Sequence, residues 1–446
     1  MLLILNIFIY VIFWYIINEK FNKNSDVIGI KTRWLLMEFD LKFIRSQFPA
    51  FSEPSLKGWA FFESAGGSYP CIQVIDRLTN FYMKNKVQVN YPYPASLLAG
   101  ELMEASYIRM ADYLNVDHSE IHFGPSTTQN VYVLANAMRP MWEEGDEIIV
   151  SCQDHEANAG AWRKLADRGI KIVEWHVNSE TGLLLLDELE RLFSDRTKMV
   201  AFPHCSNVIG HINPVKEISQ KAHKYGALSV VDGVGMAPHG FPDLKDLGAD
   251  IYLFSLYKTF GPHLGLMYVN KDLIGKMENQ SHFFKDGISR SMLTPAGPDH
   301  AQIAAASGIL DYFDAVYEHH FNEEAKPAQR NRALNSLFRE HETALLERLL
   351  DFLRSRDDIK LIGPDVAEFR APIVSIIPRK NLKEVYASLT AHKLMLGMGH
   401  FYAVRPLMDM NIPTQPGVLR ISFLHYTSFE EIDQLIEGLK FALEDI

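Results

Sequence analysis

The chain has 446 residues, 47% of them hydrophobic and 22% charged, a balance that excludes disordered and fibrous classes and suits a globular enzyme with more than one core. A net charge of −11 argues against a nucleic-acid surface, which needs clustered Lys and Arg. Three scattered cysteines, Cys71, Cys152 and Cys205, give no disulfide framework and fit a reducing, cytoplasmic setting.

Leu2 to Ile17 is apolar apart from Asn6, shorter than the ~20 residues a spanning helix needs, and without the basic start or cleavage site of a signal peptide. A marginal membrane anchor, a packed extension, and translated sequence upstream of a true start at Met37 all compete. The last is favoured, because the globular pattern begins at Met37-Glu38-Phe39-Asp40. Membrane attachment is then not expected unless residues 1–18 are a genuine anchor.

DLKFIRSQFPAF reads as a short helix capped at Asp40 and stopped by Pro49. Trp59 to Phe62 is a brief strand, followed by the SAGGS turn (Ser64 to Ser68). Pro70 to Lys84 and Leu97 to Leu114 have helical period, with an aromatic loop, Tyr91 to Pro94, between them. Ile121 to Phe123 is a strand, and Ser126-Thr127-Thr128 opens a helix. Free N–H groups and the helix dipole make such a terminus a phosphate site, although plain N-capping uses the same residues.

Strand Glu147 to Ser151 leads to His155, which stands where an imidazole can lie flat on a cofactor ring; a capping or surface histidine is the plainer alternative. Lys171 to His176 and Met199 to Pro203 are further strands, and Asn207 follows the second as His155 follows its own. Ala227 to Val231 is a short apolar run, read as a buried parallel strand with Asp232 at its carboxyl end. Ile251 to Phe254 is the next strand, delivering Ser255, Tyr257 and Lys258. An acid at one strand end and a lysine at the next suit pyridoxal phosphate: the carboxylate keeps the pyridine nitrogen protonated, and the amine holds the aldehyde. An acid in a turn and a solvated lysine are the bland alternative.

Alternating strands and helices predict an α/β fold with a large, doubly wound, mostly parallel sheet. After Asn270 the pattern changes. Thr294 to Pro298 is a loop, Ala301 to His320 one long helix, and Ala328 to Arg354 another. Lys360 to Ile362, Ile373 to Ile377 and Val418 to Phe423 read as strands of a smaller α+β domain, closed by a helix over Phe429 to Leu443. The expected organisation is an apolar extension (1–36), a segment joining the small domain (37–60), a large domain (61–314) and a small C-terminal domain (315–446).

In order, Ser126-Thr127-Thr128, His155, Ser206-Asn207-Val208, Asp232-Gly233, Ser255…Lys258 and Arg420-Ile421-Ser422 resemble the class V aminotransferases, fold-type I pyridoxal-phosphate enzymes, and most closely their cysteine desulfurase/selenocysteine lyase branch. The resemblance implies that Lys258 forms the Schiff base and shuttles protons, Asp232 pairs with the pyridinium, and His155 stacks on the ring. It implies phosphate contacts from Ser126, Thr127, Thr128, Ser255 and Tyr257. Asn207 would touch the ring oxygen or substrate, and Arg420 would grip the substrate carboxylate. The loop holding Gly297 would reach the phosphate of a neighbouring subunit, making the protein a homodimer. No metal site is implied.

Two departures stand out. Gly235 replaces the Gln or His that relatives carry after the aspartate. The loop GMGHFYAVRP (Gly397 to Pro406) has Tyr402, also a candidate substrate contact, where desulfurases carry the nucleophilic cysteine; no cysteine follows Cys205. The expected function is therefore a pyridoxal-phosphate enzyme acting on a small amino acid, either an aminotransferase or a desulfurase-like C–S lyase without a persulfide cysteine. Of the three cysteines, Cys152 stands nearest the expected site in sequence, three residues before His155. An epimerase of the same fold, or a non-catalytic, membrane-tethered scaffold, are the alternatives.

Overall fold

Seven strands form the sheet that positions the site. In a computed structural model describing residues 39–444 they are β2 (Ile121–Gly124), β3 (Glu147–Ser151), β4 (Lys171–Trp175), β5 (Thr197–Pro203), β6 (Leu228–Asp232), β7 (Ile251–Ser255) and β8 (Gly265–Val269), numbered after the two-residue β1 (Ala60–Phe61). The sheet order is β2-β8-β7-β6-β5-β3-β4. Only β8 runs against its neighbours; β7, β6, β5, β3 and β4 are parallel. The strands are largely apolar because they are covered on both faces, one core gathering Val131, Leu134, Ile148, Trp162, Val230, Leu253 and Met267. The polar residue ending each run is thereby left at the carboxyl edge, where an open α/β sheet presents a ligand site.

A second, antiparallel sheet has the order β12-β13-β10-β9, built from β9 (Ile359–Ile362), β10 (Ile373–Pro378), β12 (Gly397–Gly399) and β13 (Val418–Ser422). Its apolar face packs with the helices Pro327–Arg354, Leu382–Ala391 and Phe429–Leu443, and the same core takes in Ala60 and Phe62. β1 pairs in parallel with β11 (Leu394–Met395), so the chain before the large sheet is stitched to its C-terminal part. The α/β class, with its large, mostly parallel sheet, stands as expected. The expectations for residues 1–36 lie outside the described residues. Among the described residues no helix is long and apolar enough to cross a membrane.

Two local expectations are corrected. Ala301 to His320 is not one helix but two, His300–Ala306 and Gly308–His320. A Cβ on Gly308, where the second begins, would lie 2.7 Å from the Val74 amide nitrogen, so the helix Ile72–Lys84 passes too close there for any side chain. Pro94 is the first residue of its helix, Pro94–Leu114, rather than part of the loop. A missing N–H costs nothing at that position.

Candidate active site

The carboxyl ends of β3, β5, β6 and β7 open onto one cavity. Its walls include Ser126, Thr127, Thr128, Asp154, His155, Cys205, Asn207, Asp232, Gly235, Ser255, Tyr257 and Lys258. Most residues singled out from the sequence are therefore brought together. Ser126 caps the helix Thr127–Met138, its hydroxyl accepting from Gln129 N at 3.2 Å. That leaves the Thr127 and Thr128 N–H groups, which have no partner inside the helix, at the positive end of its dipole. The Thr127 and Ser255 hydroxyls lie 2.8 Å apart, linking this terminus to the end of β7.

Asp232 ends β6 and is 4% exposed; its Oδ1 accepts from Val234 N at 2.8 Å. Burial raises its carboxyl to about 6, against that hydrogen bond and the charge of Lys258. Burial first, and then the Arg420 charge, lowers Lys258 to about 8, while Asp232 and Glu63 oppose the shift. His155 caps the helix Glu156–Arg163, its Nδ1 accepting from Ala157 N at 3.0 Å. An imidazole whose Nδ1 accepts carries its proton on Nε2. Burial, with Lys258 and Arg420 nearby, holds this ring neutral, lowered to about 3. Asn207 donates from Nδ2 to the Phe401 carbonyl at 2.9 Å, while its buried Oδ1 has no partner.

Three candidates lie elsewhere. Arg420, on β13, is 2% exposed but does not line the cavity. Its Nη2 donates to both oxygens of Glu63 at 2.8 and 3.0 Å, its Nη1 to the Asn207 carbonyl at 3.2 Å, and the Phe401 ring stands 3.8 Å from the guanidinium carbon. Tyr402 is 68% exposed on the rim, its ring centroid 5.3 Å from that of His155. Its carbonyl accepts from Glu156 N at 2.9 Å, which ties the loop to the helix below it. Gly297 is exposed and outside the cavity walls.

Three residues escaped the sequence reading. Glu63 pairs with a residue 357 positions away, a separation without local signal. Asp154 is buried beside Asp232, its Oδ2 accepting from Asn158 Nδ2 at 2.9 Å and its Oδ1 unpartnered; burial and the Asp232 charge raise it well above the usual carboxylate range. Cys205, not Cys152, is the cysteine on the cavity wall. Cys152 instead lies 3.8 Å from the Arg163 Nη2 and beside Glu174 and His176. At Gly235 a Cβ would fall 2.5 Å from the Cys205 carbonyl oxygen, so the backbone there leaves no room for a longer side chain.

The aminotransferase class-V family model matches residues 60–287 and 332–435. Aminotransferase-like protein FGM3 of Gibberella zeae is 33% identical over 417 residues, spanning 91% of this chain and 99% of its own. Cysteine desulfurase-like protein ustD of Aspergillus flavus is 30% identical, over 88% of each chain. The crystal structure of the cysteine desulfurase CsdA from Escherichia coli superposes with a TM-score of 0.76 at 24% identity, covering 91% of this chain and 99% of that one. The order of motifs, the sheet topology and these likenesses agree: the chain belongs to the class V aminotransferases, a family of pyridoxal-phosphate enzymes, in its cysteine desulfurase-like branch.

Proposed function

We propose that the protein binds pyridoxal phosphate and acts on the α-amino group of a small amino acid, as an aminotransferase or as a C–S lyase that parks no sulfur on itself. The observation that carries this reading is Lys258 and Asp232 on the walls of one cavity, beside the open N-terminus of the helix Thr127–Met138. The donor set fits the cofactor. The Thr127 and Thr128 amides, with the Ser126, Thr127 and Ser255 hydroxyls, offer a phosphate seat. The buried, unpartnered Asn207 Oδ1 offers an acceptor for a ring hydroxyl. When bound, the cofactor supplies an electron sink for the pair left at the substrate's α-carbon.

The chain's own groups do the rest. At neutral pH Asp232, with its carboxyl at about 6, is ionised and can hold a proton on a pyridine nitrogen. His155, neutral, can cover the ring without adding a charge that would oppose that proton. Lys258, lowered to about 8, can hold the aldehyde and, once freed, take the α-proton as a general base near physiological pH. Arg420 supplies the cation for the substrate carboxylate. The relatives' names, aminotransferase-like and cysteine desulfurase-like, support the two reactions equally. Incubating the loaded enzyme with a panel of L-amino acids, with and without keto acids, separates the two: an amino-group acceptor requirement marks the transferase, sulfide release the lyase, and racemised substrate an epimerase. No product from any amino acid would sink the reading in favour of a scaffold.

A homodimer is supported by exposed apolar side chains at Tyr82, Met83, Tyr91, Tyr93, Leu97 and Leu98, and by Phe283, Phe284 and Ile288 in the stretch before the Gly297 loop. Leu97→Asp/Leu98→Asp should give a monomer in sedimentation, with activity lost if the Gly297 loop serves the neighbouring site. A variant that stays dimeric removes this surface as the interface.

Tyr402, a phenol on the rim, cannot accept sulfur. Cys205 reaches the cavity wall, but its thiol donates to the Gly210 carbonyl at 3.3 Å and burial pushes it up to about 12. Only a thiolate attacks sulfur. Burial likewise holds Cys71 and Cys152 at about 12. Replacing all three with Ala should therefore change turnover by less than ~3-fold, packing losses aside. A persulfide trapped on any of them during turnover with L-cysteine would restore the desulfurase reading.

A further inference from the structure

The seat expected to receive the substrate carboxylate is filled by a side chain of the protein. Glu63 follows β1, and the backbone beyond it is pinned to β13, with Ser64 N donating to the Ser422 carbonyl at 3.3 Å and Ala65 N to its hydroxyl at 2.9 Å. The side chain itself is less restrained: that of Glu63 is 31% exposed, where the Arg420 side chain is almost wholly buried. Its carboxylate lies in a gap kept open by two glycines. A Cβ on Gly66 would fall 2.6 Å from Glu63 Oε1, and one on Gly397 would fall 3.2 Å from its Cδ.

We infer that Glu63 stands in for the substrate's α-carboxylate on Arg420 and must swing out to admit it, so that substrates enter by exchange of one carboxylate for another. This rests on the reading of Arg420 as the carboxylate anchor. A buried guanidinium left unpaired is costly, so an anchor this deep needs a partner while it waits. Glu63 provides one but engages Nη2 alone. Arg420 Nε is buried without a partner, and a carboxylate lying side-on takes Nε and Nη2 together. The incoming ligand thus gains an N–H that Glu63 leaves unused. Exchange also preserves the charges around Lys258, which is lowered by Arg420 and raised by Glu63.

The arrangement makes Glu63 a specificity-determining residue. A carboxylate ligand competes with it, whereas an uncharged ligand does not. The test is calorimetric titration of the cofactor-loaded, full-length protein with propionate, and with propionamide as the uncharged probe. Glu63→Gln keeps the shape and removes the competing charge, and should tighten propionate roughly tenfold or more without changing propionamide. Glu63→Asp, too short to hold Nη2 in the same way, should fall between the two, and serves if the glutamine variant does not fold. Arg420→Gln should abolish propionate binding in every background. If Arg420→Gln abolishes binding but Glu63→Gln leaves it unchanged or weaker, the exchange is overturned while the anchor stands. If Arg420→Gln has no effect, or neither the parent nor Glu63→Gln binds propionate, the anchor reading fails and the exchange with it.

Discussion

On the proposed reading Lys258→Ala should lower turnover by roughly four orders of magnitude or more, because one side chain would both hold the cofactor aldehyde and move the α-proton. The loss should come without loss of fold. The Lys258 ammonium stands in a buried setting near Arg420, a like charge, and both factors lower it to about 8. Removing it therefore relieves an unfavourable interaction. The parent protein, reduced with borohydride and digested, should carry the pyridoxyl group on the peptide containing Lys258. A label on another lysine, or a Lys258→Ala enzyme that retains turnover, would overturn the assignment. The visible absorbance of the loaded parent should shift to shorter wavelength in the variant, as cofactor held by Thr127, Thr128 and Asp232 is left as the free aldehyde.

The site was legible where chemistry follows strand ends. In a parallel sheet covered on both faces, an apolar run must stop at a polar residue, and that residue lands at the carboxyl edge. Asp232 after Leu228–Val231, Ser255 after Ile251–Phe254 and Asn207 beyond Pro203 all follow this rule and share one cavity. The helix Phe429–Leu443 was readable for a local reason too, since Ser428 and Glu431 form a reciprocal capping box at its start. What could not be read depends on separation in sequence or on close approach in space. Glu63 pairs with Arg420 only because β1 is carried to the second sheet. The need for glycine at 308 depends on how near the helix Ile72–Lys84 passes. Cys152 stands closer to His155 in sequence, yet Cys205 lines the cavity while the Cys152 thiol lies beside Arg163, Glu174 and His176.

The protein should lose stability steeply between pH 6.5 and 4. Four histidines are buried and held neutral: His122 and His204 are lowered to about 4 and His155 to about 3, each chiefly by burial, and His425 is lowered well below its ordinary value. In the unfolded chain each takes a proton near pH ~6.5. Below that pH the unfolded state binds protons that the folded state refuses, so stability falls as pH falls. Two carboxyls act in the opposite sense. Asp232, raised to about 6, and Asp154, raised well above the usual range, take protons in the folded state that the unfolded chain refuses until near pH ~4. The four histidines outnumber these two carboxyls, so the balance leaves stability falling as pH falls through this range. Bound cofactor steepens that fall, because an Asp232 held by a pyridinium no longer takes up its compensating proton. Urea unfolding at pH 7, 6 and 5 measures the slope directly. His122→Leu removes one of these protons and should flatten the slope by roughly 1 kcal/mol per pH unit. A slope that is flat over this range, or one unchanged in His122→Leu, would show that these rings take protons within the folded protein.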